Sequence, residues 1–334
     1  MFNKIYVNIK KIISANWLII IGIIIGLFIS LYEFPYYISA PGGVISVSSK
    51  IKIDGSTPKG SFNMAYVSEY KPTVFNLIRA KLDKNWDIEK RVANQTSAEE
   101  YIRDRLLLDE ANRTAVIYAY QSAGKDIQIL KTDIYITYIY EEAKTNLQIG
   151  DKIEKIDGKI INDRLELINL IRSYNVGDII NITVTNNNNN KTYERSAEII
   201  EVEGIRMVGV SFATICDYEV NPEIEFNFSK SESGPSGGLI MSLAIYNNLV
   251  SEDITHGLKI AGTGTIDING NVGSIGGVEY KIKGAVKDKI KYFLIPSGDN
   301  YEEAMKVKKE NNYDINIYPV STFEEALDIL TNLK

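Results

Sequence analysis

The chain has 334 residues, enough for two or more domains that each bury a core. A net charge of −6 without a basic block argues against nucleic-acid binding. One cysteine, Cys216, excludes an internal disulfide, and with a single histidine, His256, a conventional zinc centre is also excluded.

From Ile12 to Tyr32 no residue is charged, and WLIIIGIIIGLFISL has the length and apolarity of a bilayer span. Lys4, Lys10 and Lys11 precede it and Glu33 follows, which predicts a cytoplasmic N-terminus. The competing readings are a cleaved signal and a buried core helix. Pro41, after Ile38-Ser39-Ala40, spoils the one suitable cleavage site. Residues 42–69 alternate like strands in VISVSSKIKI and SFNMAYV, separated by DGSTPKG. Ser97 to Ala123 is predicted helical, with Ser97 and Glu100 as a capping box, Gly124 as its stop and Tyr101, Leu108, Ala111 and Ala115 on one buried face.

Between 133 and 203 the pattern becomes strand DIYITYIY, then LQIGDKIEKIDGKII turning at Asp157-Gly158, a short helix LELINLIRS, and a hairpin around Asn186–Asn190. The GDKI…IDGK pair in this order resembles the bacterial PDZ domain. That resemblance implies a groove for an extended peptide between the strand near Ile134–Ile139 and the helix near Leu165–Ile171, with Ile134, Ile136 and Leu167 as candidate peptide contacts. From about 205 onward strands such as KIAGTGTID and KYFLIP alternate with helices VEYKIKGAVK and TFEEALDILTNL, an α/β arrangement.

Chemistry concentrates at SESGPSGGLIMSL, residues 231–243, where small residues surround Ser236 and run straight into an apolar helix. Such smallness suits close approach of another group to the backbone. A serine hydroxyl needs a neighbouring base to act as a nucleophile, and carboxylates, a lysine or His256 are the candidates. Lys281 follows Gly276-Gly277 and borders the apolar face formed by Val278, Ile282, Ala285 and Val286. A lysine against such a desolvated face loses some preference for charge and accepts a proton more readily. The pattern GxxxxGK[ST] is absent, so a phosphate-binding loop does not explain the glycines.

GPSGG followed by AGTGTIDINGNVGSIGGVEYK closely resembles the proteolytic domain of Lon proteases. The resemblance implies that Ser236 is the nucleophile, Lys281 the base of a Ser–Lys dyad and Thr263 the residue that orients the lysine. The Ser236 N–H and that of a neighbour in the loop around Pro235, Gly234 or Gly237 would hold the oxyanion, Pro235 itself having no N–H to give. Two positions depart from the family pattern: Gly237 stands where alanine is usual, and Ser233 where many members have an acid. FPYYISAPGG, KGSFNMAYV and the helix EEYIRDRLLLDEANRTAVIYAYQSAGK extend the resemblance to membrane-anchored, PDZ-containing Lon-like proteases of Gram-positive bacteria, one type of which trims a secreted peptide pheromone.

The expected fold class is therefore α+β: an anchor at 1–40, an N-terminal part of the catalytic domain at 41–124, a PDZ domain at 125–204 and the proteolytic domain at 205–334. The expected activity is ATP-independent peptide-bond hydrolysis outside the membrane, with a peptide or protein substrate and no metal, cofactor, nucleotide or nucleic acid. Homo-oligomer formation is a further implication, without a fixed number of copies. The alternative is a catalytically inactive PDZ adaptor, and His256 is expected to be structural or on the surface.

Overall fold

A computed structural model describes residues 2–53, 59–91, 95–187, 189–227 and 235–333. The chain divides into two units, residues 1–42 with 66–93, and residues 43–65 with 94–334.

In the first unit, the apolar N-terminal stretch forms helix α1 (Phe2–Leu31), which breaks at Asn16 (φ −121°, ψ 19°). After the break, Ile13–Leu31 supplies 19 residues of mean hydropathy 2.3, none buried. At 1.5 Å per residue that is about 28 Å, close to the hydrocarbon thickness of a bilayer. The helix meets the length and composition of a membrane span, a test that signal sequences also pass. Beyond it, Tyr36–Ser39 pairs antiparallel with Asp87–Lys90. Helix α2 (Val74–Leu82) starts at Thr73, whose hydroxyl accepts from the Asn76 amide. Its Leu77 and Ala80 pack on Ile38, Ala40 and Trp86.

In the second unit, helix α3 (Ser97–Ser122) is capped one residue earlier than its sequence suggests. The Thr96 hydroxyl accepts from the Glu99 amide, and the Glu99 carboxylate accepts from the Thr96 amide. Tyr101 is exposed rather than buried. Packing of α3 is concentrated in its second half, where Ala115, Val116 and Tyr118–Tyr120 enter the main core.

An antiparallel five-stranded sheet follows, in the order Val210–Asn221, Asp126–Ile139, Asp151–Ile156, Ile179–Asn186, Lys191–Glu198. Asp157 and Gly158 both take positive φ, 46° and 79°, and turn the chain from Asp151–Ile156 into Lys159–Ile160. Helix α4 (Arg164–Ser173) lays Leu167 and Ile171 onto the apolar face of this sheet.

The remaining residues build a parallel sheet in the order Asn316–Val320, Tyr292–Pro296, Lys259–Gly262, Ser61–Tyr70. Helices α5 (Gly238–Leu249), α6 (Val278–Lys287), α7 (Asp299–Asn311) and α8 (Phe323–Asn332) cover both of its faces. Alternate strand residues divide between the faces. Phe62, Ile260, Leu294 and Val320 join the core with α3, α5 and α8, while Ala65, Ala261, Phe293 and Ile317 join the core with α6 and α7. Burial on two sides explains continuous apolar runs such as YFLIP.

Candidate active site

In parallel α/β sheets the chain returns through a helix, so helix N-termini gather at the carboxyl ends of the strands. The Lys259–Gly262 strand ends in Gly262, and the next residue, Thr263, is fully buried. Its backbone amide donates to Leu294 O at 3.0 Å, continuing the ladder one step beyond the strand. Its hydroxyl donates to Ser236 O at 2.9 Å, and the Gly264 amide donates to the same oxygen at 2.8 Å. Leu239 N–H returns a bond to Gly264 O at 3.0 Å. Three bonds therefore fasten the turn that carries Ser236 to the carboxyl end of the central strand.

Ser236 is half-buried and Gly237 is the N-cap of α5. The Gly238 amide donates to Pro235 O at 3.2 Å. The positive end of the α5 dipole faces this turn, a favourable place for an oxyanion. Ser233 and Gly234 lie outside the described residues. Gly237 has a steric reason that helix propensity does not supply: a Cβ there would fall 1.8 Å from Met64 Sδ. Met64 lies opposite Gly262 across the parallel ladder and projects under the turn. Gly237→Ala is thus expected to push the flexible Met64 thioether aside, with a modest loss of peptide turnover. Adding Met64→Ala should restore most of it, a coupling that a double-mutant cycle on kcat/KM measures.

Lys281 sits in the first half of α6, whose N-cap Gly277 holds a left-handed φ of 69°. Val278, Ile282 and Ala285 of the same helix pack on Ala65, Ala261 and Phe293. Lys281 shares their burial, with 3% of its surface exposed. Desolvation brings its amine down from 10.5 to about 8. Lys283, two residues on, instead pairs with Glu279 one turn earlier. The loop leading into α6 is clamped by Asn300 of α7, which accepts from Ile275 N–H at 2.8 Å and donates to Ile275 O at 2.9 Å. Sequence spacing had no signal for Asn300 or Met64, because each acts across elements distant in the chain.

Ser236 and Thr263 are joined by a hydrogen bond, and Lys281 is buried on α6, whose Val278, Ile282 and Ala285 share a core with Ala261. His256 occupies an exposed turn with φ 51°, just before the Lys259–Gly262 strand begins and so at the opposite edge of the sheet from Thr263.

The candidate peptide contacts Ile134, Ile136 and Leu167 are core residues, with 2%, 0% and 0% of their surface exposed. They form the interior between α4 and the five-stranded sheet, because the apolar parity of the Asp126–Ile139 strand faces that core. A cavity of about 580 Å³ lies beside α4 instead, lined by Ile168 and Arg172 of that helix, by the rim of buried Ile171 and by residues Val208–Phe212. Val210–Asn221 is the edge strand of its sheet, the arrangement that accepts an added strand. Helix α3 covers part of that edge. Glu110 accepts from Thr214 N–H at 2.8 Å, and Arg113 donates to Cys216 O at 2.9 Å. Burial raises the Glu110 carboxyl above the usual range, opposed by the Thr214 bond and by Arg164.

Residues 229–332 match the family described as Lon protease (S16) C-terminal proteolytic domain, and residues 124–195 match the PDZ domain family. Similar curated proteins include Lon protease 2 of Bacillus subtilis, 37% identical over 117 residues, covering 35% of this chain and 20% of that protein. Lon protease of Mesomycoplasma hyopneumoniae is 33% identical over 99 residues, covering 30% of this chain and 11% of that protein. The chain thus matches a fifth or less of the length of these relatives. Among solved structures, the PDZ domain of an SdrC-like protein from Listeria innocua is 28% identical, covers 24% of this chain and 92% of that chain, and has a TM-score of 0.22. The chain carries a PDZ domain and, C-terminal to it, a proteolytic domain of the Lon serine-protease type.

Proposed function

We propose that the protein is a membrane-anchored serine endopeptidase that works without ATP and processes extracytoplasmic peptides or proteins. The observation that carries the reading is a buried lysine amine brought down to about 8, in a domain whose Ser236 turn is held at the carboxyl end of a strand by Thr263. In this reading neutral Lys281 takes the proton of the Ser236 hydroxyl as its oxygen attacks the scissile carbonyl. The tetrahedral oxyanion forms at the N-terminus of α5, within reach of the Ser236 and Gly237 amides. The Lys281 ammonium then protonates the departing amine, leaving an acyl-enzyme. Water, deprotonated by the same amine, releases the acid product and regenerates Ser236.

ATP independence rests on the absence of GxxxxGK[ST] from the 334 residues. Anchoring rests on the exposed 19-residue apolar segment, and an outward catalytic part on the lysines that precede it. The PDZ groove would hold an extended segment along Val210–Phe212, no further than the point where Glu110 takes the Thr214 amide. The PDZ module is thereby an insertion in a catalytic domain that begins before it, since Ser61–Met64 pairs with Lys259–Gly262. A secreted signalling peptide is the substrate class that the family resemblance favours.

The full chain in detergent, given a peptide pool in nucleotide-free buffer, is expected to generate new termini detectable by mass spectrometry. A fluorophosphonate probe is expected to label Ser236. Peptide binding without new termini or labelling would instead identify an inactive adaptor.

A further inference from the structure

Helix α2 carries apolar side chains on two faces, and the protein core uses only one of them. Leu77 and Ala80 face inward onto Ile38, Ala40 and Trp86. Phe75, Ile78 and Leu82 occupy another stripe, exposed at 64%, 55% and 82%. Their spacing of three and four residues aligns them along one side of the helix. Arg79 falls about 70° to one side of that stripe and Lys81 about 90° to the other at the helical repeat. Both are exposed, as is Lys84 just past the helix end. An apolar strip bordered by cations on both sides is the pattern of a helix lying in a membrane interface.

The position of α2 identifies what covers the strip. Helix α1 touches α2, and the apolar segment ends at Leu31. Three residues later, Phe34 N–H donates to Pro72 O at 2.9 Å. Glu33 receives the Lys71 ammonium at 2.7 Å. The start of α2 is thus tied to the point where α1 ends. Aromatic rings mark the same level: Tyr32 stacks on Phe28 and meets Phe34 edge-on. Tyr and Trp concentrate at the boundary between acyl chains and water. A second copy of the chain would account for an apolar strip, but not for its place beside the end of a span or its flanking cations.

We infer that α2 lies in the plane of the membrane interface beside α1, with Phe75, Ile78 and Leu82 in the acyl boundary and Arg79, Lys81 and Lys84 on anionic phospholipid headgroups. This rests on the anchored reading of α1. It makes the anchor a two-point attachment, with one helix across the bilayer and one along its surface.

The test uses the full chain with Cys216→Ser, reconstituted into vesicles of phosphatidylcholine and phosphatidylglycerol. Single cysteines at Ile78→Cys, Ile24→Cys and Glu310→Cys carry a bimane fluorophore. Quenching is measured with phospholipids bearing nitroxides along the acyl chain. The label at 78 is expected to shift to the blue and lose emission, at a depth of about 5–10 Å below the headgroups. The label at 24 should be quenched more deeply, and the label at 310, on exposed α7, not at all. Quenching at 24 but not at 78 overturns the interfacial assignment and leaves the anchor standing. A blue shift at 78 that disappears as protein is diluted in lipid also overturns it, assigning the strip to a second copy. Absence of quenching at 24 refutes the anchor and the inference together.

Discussion

Replacing Ser236 with alanine is expected to lower kcat/KM for peptide hydrolysis by about a thousandfold or more, since a catalytic nucleophile has no substitute in its own turn. The loss should fall on kcat, with peptide affinity little changed, because the substituted atom bonds to substrate only during reaction. Folding should survive. The bonds that fasten this turn run from Thr263 and Gly264 to the Ser236 backbone carbonyl and from Leu239 to Gly264, none through the serine hydroxyl. Cleavage of a peptide pool, followed with thermal unfolding of the same samples, separates the two effects. Wild-type turnover in the variant would remove Ser236 from the mechanism, whereas a lowered melting temperature would assign it a structural role.

Thr263→Val provides a graded companion. It keeps shape and volume but loses the hydroxyl that donates to Ser236 O at 2.9 Å. The Gly264 amide still holds that carbonyl, so the turn should loosen rather than detach. Loss of one such bond typically costs about 1 kcal/mol, or several-fold in rate if it is felt in positioning alone. Because the hydroxyl reaches the serine backbone, it acts by positioning the turn. A pH profile unchanged in midpoint but lowered in height is the expected signature, and a moved midpoint would assign it to the lysine instead.

Local signals in the chain carried the elements, and distant contacts decided the details. The Val278, Ile282 and Ala285 spacing marks the buried side of α6, yet leaves Lys281 at its border. Whether that border is wet or dry depends on Ala65 and Phe293, far away in sequence. The capping box was displaced by one residue because Thr96 and Ser97 are both good caps and both have a glutamate three residues later. For Ile134, Ile136 and Leu167, alternation identified an apolar face without saying whether it lines a core or a groove. The sheet needs that face for its own interior. Closure of its edge by Glu110 and Arg113 joins residues about a hundred positions apart and leaves no local pattern. Gly237 was visible as a departure from the family pattern, but its cause, Met64 Sδ, is a tertiary contact.

Lys281→Met is expected to abolish turnover and to stabilise the fold, and the two effects share one cause. Burial shifts the amine from 10.5 to about 8, so below pH 8 the folded protein holds an ammonium that would prefer water. At 1.36 kcal/mol per pH unit, this lowers stability by about 3 kcal/mol at pH 7. Between about pH 8 and 10.5 the unfolded chain binds more protons than the folded one, so wild-type stability rises with pH in that window and levels off above it. Methionine has no proton to bind and should be more stable than wild type at pH 7, with the gain fading by pH 10.5. Thermal melting of both proteins across that range measures it. Turnover obeys the same titration from the other side. Wild-type activity should climb about tenfold from pH 7 to pH 9 as the neutral amine becomes the major form. Lys281→Arg should be as inactive as methionine, because a guanidinium does not give up its proton in this range. Exposed His256, at the other edge of the sheet, offers no second base for that rise. A flat wild-type profile from pH 7 to 9 would therefore return the buried lysine to a purely structural role, and a methionine variant that is no more stable at pH 7 would show that its amine is not dry.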